Sequence, residues 1–320
     1  MTVSAAIDLR VAICVCTHNR SQGLMRLLVA MQDIDLSGYN PEGFELIVVD
    51  NNPDPEIAAI CERAAPRLPI AVHYTTEPKS GITYARNRAV AVALGRGADF
   101  IAFIDDDDQP QSDWLIQLLD RQAVTGADLV FGTWVLDSLM PQWARESGIF
   151  RSPVKAKHEN KGGRYGLPGC ASTCNALVGR AIIERVGTTG TIFNHTFRFS
   201  GGEDKDFFIR AHNLGARLAS ADMSVIHRNH EPERYTAGGL LMRGFKNGCS
   251  QVSMARWHGT ASRVARLLAA SVTKLLISLF LLPFSIFSKG MLMHNLYRMA
   301  KACGVLYTAV TGRSINYYSR

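Results

Sequence analysis

Short apolar runs alternate with helical patterns along the first 135 residues, and this alternation most restricts the fold. After each run, apolar residues recur at helical spacing, as Leu24, Leu27 and Leu28 do after the first. Parallel strands need crossover connections that are usually helical, so the pattern predicts a βαβαβαβ series and a doubly wound α/β sheet. The predicted strands are residues 11–16, 44–49, 70–74 and 100–104.

Four consecutive aspartates, residues 105–108, follow the fourth apolar run directly. Carboxylates at the rim of a hydrophobic sheet repel one another and resist desolvation, so a divalent cation that also holds a phosphorylated substrate is a favourable partner. In open α/β sheets, ligands bind beyond the carboxyl ends of the strands, where this run is expected to lie. The alternative is a solvated acidic turn in which Asp113 caps a helix beginning near Trp114.

Polar residues also follow the first two predicted strands: residues 17–20 follow the first and residues 50–52 the second. Because carboxyl ends of parallel strands share one edge, these groups are expected to converge with the acidic run on one crevice. Asp50 is placed to accept hydrogen bonds from a nucleoside, although an Asx turn beginning at Asp50 explains the same residues equally well. No Gly-x-Gly-x-x-Gly follows the first strand, which argues against a dinucleotide cofactor.

The charge is divided unevenly between a body and a tail. From Arg234 onward there are 12 Lys and Arg but no Asp or Glu, whereas the preceding residues contain 23 basic and 28 acidic residues. An acidic body argues against a nucleic-acid partner. Residues 267–287 are apolar except for Lys274 and a few hydroxyl residues, and basic residues flank them, which favours membrane association over a buried helix pair in a soluble core. Lys274 and Pro283 make this segment a poor simple span, so a helix in the interface or a re-entrant hairpin is equally compatible.

Five motifs occur in the order found in one enzyme family, and they cover about the first 230 residues. They are residues 16–20, 49–51, 80–87, 103–108 with Trp114-Leu115, and 201–207. On these motifs the chain resembles a family 2 glycosyltransferase with a GT-A fold, a Rossmann-like doubly wound, mostly parallel sheet. Through residues 173–177 and 201–208 it is similar, within that family, to bacterial exopolysaccharide enzymes of the succinoglycan type.

The resemblance implies a role for each residue on the donor side. Thr17 and Asp50 would hold the nucleobase and ribose of a nucleoside diphosphate sugar, and Arg86 would contact the nucleotide. The Asp-x-Asp motif falls on Asp105, facing the ribose, and Asp107, which binds Mg²⁺ or Mn²⁺. Four acids in a row leave the register open, because Asp106 with Asp108 has the same spacing.

On the acceptor side, the resemblance makes Asp204 the base that takes a proton from the acceptor hydroxyl. Two glycines precede Glu203 and Asp204, and a helix N-terminus there would favour the ionised carboxylates, although helix capping alone explains the same pattern. His227 matches a histidine that often follows this helix and is predicted to complete the metal shell, with His230 and Arg234 as further diphosphate contacts.

The resemblance implies inverting transfer of a sugar from a UDP-linked donor to a polyprenyl-diphosphate-linked saccharide in bacterial polysaccharide biosynthesis. Processive members of the family carry a Gln-x-x-Arg-Trp motif, whereas here four residues separate Gln251 from Arg256-Trp257, which predicts transfer of a single sugar. The predicted domains are a catalytic domain at 1–250, with a nucleotide-binding half to about 135 and an acceptor half beyond it, and a membrane-associating region at 251–320. Residues 1–9 lack the pattern of a secretory signal, which predicts the cytoplasmic face of the inner membrane. The alternatives are a sugar-1-phosphate nucleotidyltransferase and a non-catalytic membrane-bound scaffold.

Overall fold

The computed structural model describes residues 8–136, 140–150, 166–228, 232–313 and 315. The strands in these residues are β1 Val11–Thr17, β2 Phe44–Asp50, β3 Ala71–Thr76, β4 Phe100–Ile104, β5 Asp108–Pro110, β6 Leu129–Leu136, β7 Asn175–Gly179 and β8 Leu218–Arg228. The helices are α1 Ser21–Ala30, α2 Pro55–Ala64, α3 Ile82–Gly95, α4 Trp114–Thr125, α5 Gln142–Ser147, α6 Arg180–Gly187, α7 Glu203–Asn213, α8 Ala237–His258, α9 Ala261–Ser285 and α10 Lys289–Thr311.

The strands form one eight-stranded sheet in the order β3-β2-β1-β4-β7-β6-β8-β5. The predicted βαβαβαβ series is confirmed, because β1 pairs in parallel with both β2 and β4, and β2 pairs in parallel with β3. Helices cover both faces of this part: Val15 of β1 belongs to the core that contains Leu24 of α1, whereas the Cys14 thiol faces the carbonyl of Ala89 on α3. The carboxyl ends of β1, β2 and β4 consequently share one edge.

The rest of the sheet is mixed. Strand β7 pairs antiparallel with β4 and with β6, and β5 pairs antiparallel with β8. The doubly wound GT-A prediction therefore holds for the first four strands, and the later strands extend the sheet with antiparallel pairs. The β5–β8 pairing matters for function, since it places Arg228 directly opposite Asp108.

A buried side-chain amide on β7 connects β6, β8 and α4. The Asn175 side chain accepts a hydrogen bond from Trp114 Nε1 at 2.8 Å and donates to the carbonyls of Thr133 and Ser224 at 2.8 and 3.0 Å. It fills the space beside Gly132, where a Cβ would lie 2.2 Å from the Asn175 amide nitrogen. Asn175 is thus a fully bonded structural residue.

We expect Asn175→Ala to lower the free energy of unfolding by about 2–4 kcal/mol, because it leaves a buried indole N–H and two carbonyls without partners. Urea unfolding followed by tryptophan fluorescence measures the effect. Asn213→Ala, at an exposed position, is the matched control and should change stability by less than about 0.5 kcal/mol. Equal midpoints for the two variants would contradict the structural role of Asn175.

By their internal contacts, the described residues fall into two compact units. The first contains those within 1–135, 152–198 and 203–229, and it includes nearly the whole sheet. The second contains those within 136–151, 199–202 and 230–320, and it includes α5, α8, α9 and α10.

Helices α8 and α10 of the second unit cross at very short range. A Cβ on Gly248 would lie 2.1 Å from the Lys301 carbonyl oxygen, and a Cβ on Gly304 would lie 2.1 Å from that of Phe245. The Cys249 thiol also faces the Gly304 carbonyl at 3.5 Å. Small residues at such a crossing let backbones approach closely, as in helix pairs within membranes.

Helix α9 is the one helix in the described residues that is long and apolar enough to cross a membrane, judged by length and composition alone. Only 11% of its most apolar 18-residue window is buried. This low burial distinguishes α9 from the core helix of a soluble protein, which would be mostly covered.

Candidate functional site

Two of the four aspartates beyond β4 are held by an arginine that follows β1. Arg20 Nη1 donates to Asp106 Oδ1 at 2.9 Å and lies 3.4 Å from Asp107 Oδ2. Burial raises the pKa of Asp106 to about 6, the Arg20 guanidinium opposes that rise, Asp107 adds to it, and the Thr17 hydroxyl lowers it again. The ends of β1 and β4 are therefore joined by charge as well as by strand pairing.

A second arginine engages the other two aspartates. Arg228 forms a bidentate pair with Asp108, at 3.1 Å from Nε to Oδ1 and 2.9 Å from Nη2 to Oδ2, and its Nη2 lies 3.8 Å from Asp105 Oδ2. The guanidinium carbon also lies 5.1 Å from the ring centroid of Trp134. Asp108 is fully buried, and burial raises its pKa to about 7 while Arg228 opposes the rise. Asp106 and Asp108 thus point into protein, whereas the Asp105 side chain is 38% exposed.

Arg86 connects the acidic run to helix α7. Its Nη1 is paired with the Glu203 carboxylate, and its Nη2 lies 3.5 Å from Asp105 Oδ1. The guanidinium carbon lies 5.8 Å from the ring centroid of Phe193, and the Arg86 side chain is only 10% exposed. One buried guanidinium consequently holds the acidic run and the first turn of α7 close together.

The acids at the start of α7 have different surroundings. Glu203 is buried against Arg86, and Asp206 is buried in an i,i+4 pair with Arg210 at 2.9 Å. Asp204 is only partly buried, and its Oδ1 accepts a hydrogen bond from its neighbour's backbone N–H at 2.7 Å. Among the acids of this turn, Asp204 is the one whose carboxylate is both partly exposed and one residue from the Arg86 contact.

Asp50 is completely buried at the end of β2, opposite Thr17 in the parallel register. Its oxygens accept hydrogen bonds from the backbone N–H groups of Asn52 at 3.1 Å and Asp54 at 2.9 Å, and from the Tyr74 hydroxyl at 3.1 Å. The Asx turn is therefore present. A carboxylate offers about four acceptor positions, and three hydrogen bonds within the protein already use most of them.

His227 lies on β8 opposite Gln109, and its ring is exposed. Its Nε2 is 3.4 Å from Gln111 Nε2. Alternate residues of a strand face opposite sides, so His227 and Arg228 do not share a face, and it is Arg228 that reaches the acidic run. His230, by contrast, lies outside the described residues.

One group of potential metal ligands was not anticipated from the sequence. Single ligand atoms of Asp105, Asp108 and Cys174 lie within 4.8 Å of one another. Both oxygens of Asp108 are already bonded to Arg228, and burial raises the pKa of the Cys174 thiol to about 12. Protonated sulfur and an arginine-paired carboxylate are poor ligands for Mg²⁺ or Mn²⁺, which prefer ionised oxygen donors.

Three residues that shape the site were assigned no role from the sequence: Arg20, Arg228 and Glu203. Arg20 ends the motif after β1, Glu203 precedes Asp204 and Arg228 follows His227, so proximity to the predicted site residues was an available signal. That signal does not reveal the pairing of Arg228 with Asp108, which depends on a β5–β8 register between residues 120 positions apart.

A comparison with protein families matches residues 12–187 to the model of glycosyl transferase family 2. Two curated proteins are similar over most of the chain. The succinoglycan biosynthesis protein ExoM of Rhizobium meliloti (strain 1021) is 34% identical over 248 residues, covering 75% of this chain and 73% of that protein. The glycosyltransferase AglE of Haloferax volcanii is 26% identical, covering 76% of this chain and 73% of that protein.

Solved structures share the fold at low sequence identity. The mannosyltransferase PcManGT from Pyrobaculum calidifontis, in complex with GDP-Man and Mn²⁺, has a TM-score of 0.57 at 16% identity, covering 95% of this chain and 90% of that one. Residues 1–349 of TarS from S. aureus, in complex with UDP, have a TM-score of 0.51 at 15% identity, covering 95% and 92%. These likenesses agree with the GT-A prediction for the fold.

Proposed function

Because this chain belongs to glycosyltransferase family 2, we propose that it transfers a single sugar, with inversion, from a nucleoside diphosphate sugar to a lipid-linked oligosaccharide. ExoM is named for succinoglycan biosynthesis, which supports a role in making a bacterial polysaccharide. PcManGT was solved with GDP-Man and TarS with UDP, which supports a nucleoside diphosphate donor. UDP remains the carrier that we expect.

The observation that carries this proposal is the bridge formed by Arg86. Sugar transfer needs the donor diphosphate and the acceptor's base in one crevice. Arg86 contacts Asp105 of the acidic run and Glu203, the residue before Asp204, with a single guanidinium. Two segments separated by almost 100 residues are thereby held within one side chain's reach of each other, as the reaction requires.

We assign donor binding to Thr17, Asp50, Arg86 and Asp105. Thr17 and Asp50 are adjacent in the register of β1 and β2, at the edge where the acidic run begins. Asp105 is the most exposed of the groups that contact Arg86, which supports its role toward the ribose. Arg86 is positioned beside Asp105 and supplies positive charge on the nucleotide side.

The residues present fit a divalent cation, Mg²⁺ or Mn²⁺. Asp105 to Asp108 together with Glu203 provide five carboxylates, whereas Arg20, Arg86 and Arg228 provide three guanidinium groups, so two negative charges remain when all five carboxylates are ionised. Since Arg20 and Arg228 make their shortest contacts with Asp106 and Asp108, the Asp105–Asp107 register is favoured. We propose Asp107 as a ligand, with His227 as the second on the evidence of the sequence alone. When bound, the ion would neutralise charge on the diphosphate leaving group.

We propose that Asp204 accepts the proton of the acceptor hydroxyl. Its carboxylate lies in the first turn of an 11-residue helix and is only partly buried, which supports access by an acceptor hydroxyl. Attack opposite the diphosphate inverts the anomeric centre and requires no covalent enzyme intermediate.

A lipid-linked acceptor remains in the bilayer, so the catalytic residues must be kept near a membrane. We propose that residues 1–250 act as the catalytic domain and that residues 251–320 associate with the cytoplasmic face of the bacterial inner membrane. The exposed apolar surface of α9 supports this assignment.

We expect the purified protein to bind nucleoside diphosphates in the presence of Mn²⁺. From a panel of UDP-sugars and GDP-sugars, it should slowly hydrolyse one donor and release the nucleoside diphosphate. Chelation of the metal should weaken binding at least about tenfold, since the ion offsets diphosphate charge. Calorimetry and coupled nucleotide release measure the two effects. Preferential nucleoside triphosphate binding would favour a nucleotidyltransferase, and absence of any nucleotide binding would favour a scaffold.

A further inference from the structure

Helix α9 has its polar and apolar surfaces reversed relative to a helix packed in water. Small hydroxyl residues at seven-residue spacing are buried on its inner side, namely Ser271, Ser278 and Ser285. The opposite side exposes large apolar residues: Leu276 at 62%, Phe280 at 72%, Phe284 at 60% and Phe287, just beyond the helix, at 88%. We call this last set the apolar face. Exposed apolar surface of this kind marks an interaction site.

The inner side of α9 is already occupied by α10. The Asn295 side chain donates a hydrogen bond to the Ser278 carbonyl at 2.8 Å and is itself buried. The Ser271 and Ser285 hydroxyls bond to carbonyls of their own helix at 2.8 Å. The serine side of α9 is thus covered by α10, and the apolar face is the side that remains for a partner.

The apolar face is too short to cross a bilayer. Exposed Lys274 bounds it at one end and exposed Lys289 at the other, so the part of α9 between these charges ends at Ser285 and is roughly 16 Å long, against a hydrocarbon core of about 30 Å. The neighbouring helix could not follow it through the core, because α10 carries His294, Arg298 and Lys301. These dimensions suit one leaflet.

The charge around the apolar face suits anionic headgroups. From Arg234 to the end the chain contains no acidic residue, and α9 exposes Arg266 and Lys274. Near the α9–α10 turn, the Glu146 carboxylate accepts a hydrogen bond from Gln142, and Lys289 lies 5.8 Å from the Trp143 ring centroid. Cations beside an apolar surface attract anionic lipid while apolar side chains enter the acyl region.

We propose that the second unit docks on a single leaflet of an anionic membrane through the apolar face, so that α9 lies in the interface and does not cross the bilayer. This deepens the membrane association included in the proposed function by stating its surface and its mode. A lipid leaflet accounts for both the apolar face and the cations, whereas a second copy of this basic unit would bring like charges together.

The test is flotation of the full-length protein with vesicles of phosphatidylcholine alone or mixed with phosphatidylglycerol. Wild type should bind the mixed vesicles at least tenfold more tightly than the neutral ones. The double variant Phe280→Glu with Phe284→Glu should lose at least tenfold in binding, whereas Val310→Glu, at an 85% exposed position on α10 outside the apolar face, should bind like wild type. Equal binding by the double variant would overturn the proposal.

Variants with one exposed cysteine each separate one leaflet from a span, because Cys303 is exposed whereas the other six native cysteines are buried or only partly buried. In a Cys303→Ser background, Ser262→Cys and Ser288→Cys place thiols beyond the two ends of the apolar segment. When the protein is added to the outside of sealed vesicles, a membrane-impermeant maleimide should label the thiols at both positions. Protection of one position only would show that the helix crosses the bilayer. Lipid-free dimers that the double variant abolishes would instead identify a second copy as the occupant. Donor hydrolysis by the double variant in detergent reports the proposed function separately, since it should equal that of wild type.

Discussion

Asp204→Asn is expected to lower kcat for sugar transfer by about 100- to 10,000-fold, the range typical of a lost general base, while donor binding stays within about twofold of wild type. The amide keeps the shape of the carboxylate and an oxygen that accepts the backbone hydrogen bond now made by Asp204. It cannot accept a proton from an alcohol. The loss should therefore appear in the chemical step and not in the affinity for the donor.

Transfer to a polyprenyl-diphosphate saccharide and calorimetric donor binding measure the two quantities separately. Asp222→Asn is the matched control, because it makes the same substitution at an exposed position on β8 and should leave both quantities unchanged. If Asp204→Asn retained more than about a tenth of wild-type kcat, a different residue would have to act as the base.

Asp107→Asn is expected to weaken metal-dependent donor binding by about 100-fold or more and to reduce kcat/KM at least as much, because an amide oxygen carries no charge to hold the cation. The free energy of unfolding should change little. Asp107 lies 3.4 Å from Arg20, which keeps its shorter 2.9 Å contact with Asp106 after the substitution.

The neighbouring acids provide the control that resolves the register. Asp108→Asn removes the charge that faces Arg228 in a buried bidentate pair, so we expect it to cost about 3–5 kcal/mol of stability. Titration with Mn²⁺ in the presence of nucleotide, together with urea unfolding, separates metal binding from folding. If Asp107→Asn were unstable while Asp108→Asn was stable but no longer bound metal, the motif would be Asp106 with Asp108.

The alternation of apolar runs and helical patterns was sufficient to predict the first four strands, their parallel pairing and the shared edge of their carboxyl ends. Those features depend on local periodicity and on the need of a parallel sheet for crossovers. The acidic run was recognised for the same reason, because it follows directly on a buried strand. The fold of the family and the site motifs were accessible through residues that lie close together in the chain.

The side-chain contacts that surround the motifs could not be predicted from local sequence patterns. The prediction for His227 placed this segment near the acidic run, but it did not identify Arg228 as the partner of Asp108, since that pair depends on an antiparallel register across 120 positions. The contact of Arg86 with Glu203 likewise joins residues 117 positions apart. In the tail, composition predicted an apolar helix, but the side that it exposes depends on packing, because α10 covers the serine side of α9. Helix α8 spans the predicted boundary at residue 250, and its internal contacts group it with the tail helices.

Local patterning therefore established the elements and the chemistry available to them, since strand and helix periods are written in consecutive residues. Local patterning does not show which carboxylates form ion pairs with arginines or which side of α9 is exposed. Both depend on charges and surfaces that meet only when distant segments pack together. Packing at those contacts gives otherwise identical aspartates different burial and different partners, and no pattern within the run Asp105 to Asp108 distinguishes them.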